Sequence, residues 1–286
     1  MMPSKSKNMG ASGPASGTWD TATDRSPAAP RYLLVMTATV TPAPNAQVKR
    51  ASPQIRLDDY KGALRFWLRY PHPAAERILF LENSGADLSE LRTIAERENP
   101  MGKGVEFLSL PAHEIPPGSN YGYTEMQMLD EGLALSTLRR STTHMIKTTG
   151  RLTFPALGKA LDRIEKLTRE SSASFELMID CRRLGFPRRG ADARVQLFVC
   201  SHDFYDRALR NANREMSPDG PRLLEQLIFQ KVILFKGQPG YYLRFPCNIE
   251  PVGHFGFKDR RYDSLRTVVS RRIRSLLRIV APGYWY

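Results

Sequence analysis

The chain has 286 residues, 41% of them hydrophobic, with 42 lysines and arginines against 29 acidic residues and a net charge of +13. This is enough apolar material for one sizeable α/β domain or two small ones, and the basic balance suits nucleic acid, an anionic membrane face or a phosphorylated substrate. Three well-separated cysteines, Cys181, Cys200 and Cys247, argue against a disulfide framework or a zinc site and fit a reducing cytosol, and no apolar run is long enough to span a bilayer.

The first thirty residues carry basic groups but no apolar core of a secretory signal. Their Ser, Gly, Pro and Ala content reads as a disordered tail over 1–30. Order is expected from "RYLLVMTATV" (31–40), where Leu33, Leu34 and Val35 lead a buried strand. A proline-broken loop follows. In "RLDDYKGALRFWLRY", Tyr60, Ala63, Leu64, Trp67 and Leu68 recur at helical spacing. "ILFLENSGADLSEL" (78–91) is a strand that empties into a polar tip and then starts a helix, with Leu88, Leu91 and Ile94 on one face. Asp87 or Ser84 is placed to cap that helix. "VEFLSL" (105–110) is a third strand.

Strand, helix, strand, helix, strand predicts a parallel sheet, and ligands on such sheets bind at the carboxyl ends of the strands. The tip at 82–87 falls there. Beyond it, "YGYTEMQMLDEGLALSTL" reads as a helix, and "THMIKTTGRLTF" as a strand with a basic turn. "PALGKALDRIEKL" is amphipathic, with Leu157, Leu161, Ile164 and Leu167 on one face. "SFELMIDCRRLGF" reads as a strand, "RVQLFVCSHDFYDRAL" as a strand then a helix, and "PRLLEQLIFQKVI" as a helix. Residues 237–264, rich in Gly, Pro and Tyr, read as an irregular covering region.

Several polar groups punctuate this frame. In "KTTGR" (147–151), Lys147 and Arg151 flank two hydroxyls and a glycine, a set that can cradle a pyrophosphate or form an ordinary solvated turn. The spacing is not that of a Walker A loop. Asp180 ends a buried run; it can hold a sugar hydroxyl or a divalent metal, or pair with a neighbouring arginine. Arg182 stands where a second carboxylate of a DxD pair would be, and Arg182 and Arg183 can neutralise phosphate instead. In "SHDFYD" (201–206), His202 or Asp203 can serve as a general base, while Ser201 or Asp203 can equally cap a helix. Glu225 reads either as a catalytic carboxylate or as a half-exposed helix position. No histidine spacing suggests a metal set, and the GxSxG elbow is absent.

The last segment, 261–286, is the most regular. Leu265, Val268, Val269, Ile273, Leu276, Leu277 and Val280 make one stripe, four arginines lie off it, and Tyr284, Trp285 and Tyr286 follow. Such a helix suits an anionic membrane face, or docks on the domain with its arginines solvated.

Taken in order, "LVMTATVTP", "DDYKGALRFWL", "ILFLENSGADLSEL", "EFLSL", "YGYTEMQMLDEGL", "IKTTGRLTF" and "MIDCRR" resemble uncharacterised glycosyltransferase-like proteins of bacterial O-antigen and capsule gene clusters, over about residues 31–235. The resemblance implies a GT-A-like (Rossmann-like) α/β domain over 31–260, with a mostly parallel sheet flanked by helices and a C-terminal amphipathic helix. It implies a nucleotide-sugar donor and a saccharide or lipid-linked acceptor, in the cytosol or peripheral on the membrane. The chain departs from the family at "SNYGYTE" and "VGHFGFKD". Under this reading Thr37, Thr39, Glu82, Asn83 and Ser84 hold the nucleotide. Lys147, Thr149, Arg151 and Arg182 line the diphosphate. Asp180 positions the donor sugar or a metal, and Asp203 is the base. Manganese or magnesium dependence stays open without the DxD pair. A basic nucleic-acid-binding protein is the alternative from another class, supported by charge but by no recognised motif. An inactive sugar-nucleotide-binding scaffold is a third reading.

Overall fold

Alternating apolar residues build the strands, and the two sets face opposite layers. In the computed structural model, residues 29–44, 48–182, 191–254 and 280 are described. Residues 1–28, Arg183 and, apart from Val280, the helix expected over 261–286 lie outside them. Seven strands form one sheet: β1 (Tyr32–Ala38), β2 (Arg77–Glu82), β3 (Gly104–Ser109), β4 (His144–Thr149), β5 (Leu177–Arg182), β6 (Asp192–Ser201) and β7 (Tyr241–Tyr242). Their order is β3-β2-β1-β4-β6-β5-β7. The main helices are α1 (Pro53–Leu68), α2 (Ser89–Arg97), α3 (Gly122–Leu135), α4 (Leu157–Ser171), α5 (His202–Phe204, a single turn) and α6 (Leu224–Val232). This is the expected α/β, Rossmann-like architecture, a mostly parallel sheet flanked by helices.

Leu34 and Met36 of β1 pack with Tyr60, Leu64 and Trp67 of α1 and with Leu157, Leu161 and Ile164 of α4. Leu33 and Val35 pack with Met126, Leu129 and Leu133 of α3 and with Leu224, Leu227 and Ile228 of α6. All five apolar positions expected to face inward from α1 are buried. On α4 the stripe is shorter than expected: Leu167 is half-exposed, and Thr168 is buried in its place, its hydroxyl bonded back to Ile164 O at 2.8 Å.

β1, β2 and β3 run parallel in the expected order. The chain then returns to the other side of β1, where β4 pairs parallel with it. This reversal makes the β1/β4 gap a topological switch point, the place where α/β sheets bind ligands. β6 breaks the parallel pattern, pairing antiparallel with both β4 and β5. The link from β5 to β6 is too short for a helical crossover, so the strand must turn straight back. The covering region holds more order than expected: β7 pairs with β5, and Val252 bridges Thr153.

After β6 the expected long helix is only α5 followed by a π-helical turn, Tyr205–Leu209. The Asp130 carboxylate of α3 draws the chain aside, accepting from Tyr205 Oη at 2.8 Å and Asn211 N at 3.0 Å. Ser201 caps α5, accepting from Phe204 N at 2.9 Å. His202 is buried beside it, its Nε2 2.9 Å from Thr142 Oγ1.

Desolvation, helped by Arg139, pushes the His202 imidazole down to about 4. The folded protein therefore holds it neutral where the unfolded chain, near 6.5, takes a proton. Between those values the unfolded state binds more protons, so stability is full above about pH 6.5 and is lost as pH falls toward 4. Urea unfolding at pH 7 and pH 4.5 should show a loss for the wild type on the order of 2 kcal/mol larger than for His202→Gln. Equal losses in the two proteins would remove His202 as the cause.

Candidate functional site

The carboxyl edge of β1 and β4 brings several charged groups together. On β4, Lys147 follows Met145 by two residues and so points to the α3/α6 layer. It stands in register with Val35, and Thr149 stands in register with Thr37. A lysine there enters an apolar layer, and it is 1% exposed. Glu125, from the first turn of α3, meets it: Lys147 Nζ lies 2.7 Å from Glu125 Oε1. Nζ also donates to Val195 O of β6 at 2.7 Å, and Thr37 Oγ1 donates to the same Glu125 oxygen at 2.8 Å. Lys147 is thus the buried member of an ion pair, not the open phosphate cation that "KTTGR" suggests. The glycine of that motif also has a structural reason. Gly150 N donates to Thr37 O at 2.8 Å, and a Cβ there would stand 2.7 Å from that oxygen.

Arg151 follows, its Nε donating to His254 O at 3.2 Å. The segment that supplies this carbonyl crosses the exit of β4. It is fastened by the paired bonds of Thr153 and Val252, and by His254 Nδ1 at 3.8 Å from Asp59 Oδ1.

Two further carboxyl groups close in. The first turns of α3 and α6 touch: a Cβ on Gly122 would lie 2.5 Å from Leu224 Cβ. That contact brings Glu225 into the same neighbourhood as Glu125. Desolvation raises the Glu225 carboxyl above its usual range; the Glu125 and Asp192 charges add to this, while its own N–H and Lys147 oppose it. Tyr121 lies among the same groups. Desolvation, then Glu225 and Glu125, push its phenol up to about 12, against the pull of Arg151. At the start of β6, burial raises the Asp192 carboxyl against the pull of Arg182 and Arg194.

Asp180 sits where the β5–β6 register shifts, between Ile179 and Cys181. It is fully buried, with Oδ2 3.6 Å from Arg182 Nε and 3.8 Å from Arg194 Nη1. Of its two sequence readings, this is the arginine-paired one. Burial, with Asp180 and Asp192 adding, pushes the Cys181 thiol up to about 12.

The polar tip after β2 has mainly an internal role. Glu82 is wholly buried and accepts from Val40 N at 3.0 Å, from Ser84 N at 2.9 and 3.0 Å, and from Ala86 N at 3.2 Å; it also accepts from the Ser84 hydroxyl. Ser84 Oγ accepts in turn from Thr41 N at 2.9 Å. Thr39 Oγ1 donates to Asn83 Oδ1 at 2.6 Å. These four side chains fasten the exit of β1 to the exit of β2. Asp87, not Ser84, supports the first turn of α2, accepting from Ser89 N and Oγ at 2.9 and 2.7 Å; these bonds hold its carboxyl below the usual range.

Thr37, Thr39, Glu82, Asn83, Ser84, Lys147, Thr149, Arg151, Asp180 and Arg182 therefore all lie at the carboxyl edge of the parallel strands. Asp203 does not. It follows β6, whose last residue pairs with His144 at the start of β4, so it stands at the opposite edge. Glu125, Tyr121, Asp192 and Arg194 were not singled out from the sequence. The usable signal was the glycine of "YGYTE", which permits the close approach of α3 and α6.

Because Lys147 is buried and paired, its loss acts on the fold. Lys147→Met should leave Glu125 buried without its cation and cost about 3–5 kcal/mol in urea unfolding. The double variant Lys147→Met/Glu125→Leu should recover most of that. A single variant as stable as wild type would show that the pair contributes nothing.

No family model and no curated protein matches the chain. Among solved structures, it is similar to a cytidylyltransferase from Leptospira borgpetersenii serovar Hardjo-bovis, at 12% identity over 86% of this chain and 96% of that one, with a TM-score of 0.43. It is also similar to 4-diphosphocytidyl-2C-methyl-D-erythritol synthase from Anaerococcus prevotii, at 8% identity over 85% and 96%, with a TM-score of 0.40. A third is HddC from Yersinia pseudotuberculosis, at 14% identity over 85% and 99%, with a TM-score of 0.32. At these scores the likeness does not bear on chemistry, which rests on the side chains of this chain.

Proposed function

We propose that the chain is a nucleotide-sugar-dependent glycosyltransferase that moves a sugar to a saccharide or lipid-linked acceptor. One observation carries this reading: cations and proton-holding groups from β4, β5, β6, α3 and α6 converge at the switch-point edge of an α/β sheet. A donor diphosphate there meets Arg151, with Arg182 and Arg194 beyond it. Fixed cations stabilise the charge that develops on the leaving group, and because they are already oriented they need no rearrangement when the bond breaks. Asp180 holds Arg182 and Arg194 in place rather than touching the sugar. Lys147 and Glu125 set the floor of the site. Thr37 and Thr149 stand in register above them, and the tip of Thr39, Glu82, Asn83 and Ser84 fixes the β1 exit that borders it.

The sheet edge supplies the donor half of the reaction. For the acceptor half, the basic amphipathic helix expected over 261–286 would hold the enzyme at an anionic membrane face, next to a lipid-linked saccharide. No helix among the described residues is long and apolar enough to cross a membrane. Manganese or magnesium would be an added cation at the diphosphate. No group of three metal-ligating side chains occurs among the described residues.

Thermal shift against UDP-glucose, GDP-mannose and dTDP-glucose, with and without manganese, tests ligand class, because a ligand bound only by the native state raises apparent stability. The released product then identifies the bond broken: a free nucleoside diphosphate marks glycosyl transfer, and pyrophosphate formed from a nucleoside triphosphate marks nucleotidyl transfer. Arg151→Ala should lower donor turnover by about 100-fold or more at unchanged unfolding midpoint. Turnover within threefold of wild type would take Arg151 out of the site.

A further inference from the structure

We propose that Glu225, at the start of α6, is the catalytic carboxylate that takes the proton from the attacking hydroxyl. This rests on the glycosyl-transfer reading and supplies the proton acceptor which that reading lacks once Asp203 is seen at the far edge. Glu225 is half-buried, and among the described residues no cation stands within ion-pair distance of it. The nearby Lys147 is already held by Glu125 and Val195 O.

The placement has an identifiable cause. The close contact of Gly122 with Leu224 seats the first turn of α6 on the first turn of α3. The titratable groups that face Glu225 are then Glu125 from α3, Tyr121 just before it, Lys147 from β4 and Asp192 from β6. Burial and the Glu125 charge keep its proton affinity above that of an ordinary carboxylate. A carboxylate so placed is a stronger base than an exposed glutamate. The Lys147–Glu125 pair is a positioning device: it holds the charge that tunes Glu225.

In the step, the acceptor oxygen forms a bond to the anomeric carbon as its proton passes to the Glu225 carboxylate. The bond from that carbon to the phosphate oxygen breaks, and its electron pair leaves on the nucleoside diphosphate beside Arg151. With water as acceptor the same balance gives donor hydrolysis.

Hydrolysis of UDP-glucose, GDP-mannose and dTDP-glucose by the full chain tests this, alongside thermal shift with the same donors. Glu225→Gln should lower kcat by about 100-fold or more while the donor-induced shift is retained. Wild-type kcat/KM should fall on the acid side with a midpoint above the usual carboxylate range, and the residual activity of Glu225→Gln should lose that acid limb. Glu225→Asp, which keeps the carboxylate, should restore part of the rate. A kcat for Glu225→Gln within threefold of wild type, or an unchanged acid limb, overturns Glu225 as the base and leaves the glycosyl-transfer reading standing. If the wild type neither binds nor turns over any of the donors, both fall.

Discussion

The buried pair of Lys147 and Glu125 is the constraint on which the carboxyl edge depends. A lysine ammonium inside an apolar layer carries a heavy desolvation cost, and it persists only where a carboxylate and further acceptors surround it. Here Glu125 supplies the charge, Val195 O a second acceptor, and Thr37 a donor that satisfies the same carboxylate oxygen. Four elements, β1, β4, β6 and α3, are thereby fixed to one point. α6 joins them through the Gly122–Leu224 contact. The position of every ionisable group near Glu225 follows from that junction.

The same junction explains why the edge collects carboxyl groups in a strongly basic protein. Glu125 cannot leave Lys147 without stranding the buried ammonium, so the packing keeps the two together. Glu225 and Tyr121 lie beside that pair, and desolvation first, with the Glu125 charge adding, makes each hold its proton more tightly than it would in water. Asp192 is raised by burial despite Arg182 and Arg194. Shifts of this kind also arise in purely structural networks. Glu225 differs from Asp180 in being half-buried with no ion pair among the described residues.

Much of the fold was legible because hydrophobic period alone decides it. β1 to β4 and the inward face of α1 follow from residues such as Leu33, Leu34, Tyr60 and Trp67. The antiparallel course of β6 was not, since it depends on the length of the β5–β6 link rather than on any residue of the strand. The candidate site was legible only in part. The "KTTGR" and "ENS" stretches do fall at the carboxyl edge of the parallel strands, but their polar groups turn inward: Lys147 to Glu125, Glu82 to three backbone N–H groups, and the Gly150 N–H to Thr37 O. A sequence shows which polar groups stand at a strand end; it does not show which of them are already satisfied by neighbours far along the chain. Glu125 was hidden for the converse reason, and Glu225 stayed open between a catalytic carboxylate and a half-exposed helix position. Each is an ordinary glutamate in a helical first turn, where such residues are common for helix-dipole reasons, and only the packing of two helices makes them neighbours.

The two sides of β1 also differ in what they leave for a ligand. Toward α1 and β2 the backbone at its exit is occupied: Thr39 N donates to Tyr60 Oη at 3.0 Å, Thr39 O accepts from Arg56 Nε at 2.6 Å, and Glu82 and Ser84 take the next two N–H groups. Arg56, itself buried, ties that exit to the far end of the loop through Arg50 O at 3.2 Å. This half is rigid because its hydrogen bonds are internally complete, and rigidity is what a neighbouring reactive half requires. On the other side, toward α3 and α6, stand Glu225 and Tyr121, whose proton affinities are raised. Under the proposed reading, a β1 exit whose hydrogen bonds are already internal leaves β4, rather than the β2 tip, as the side with groups to offer a donor, even though the tip is the more polar of the two in the bare sequence.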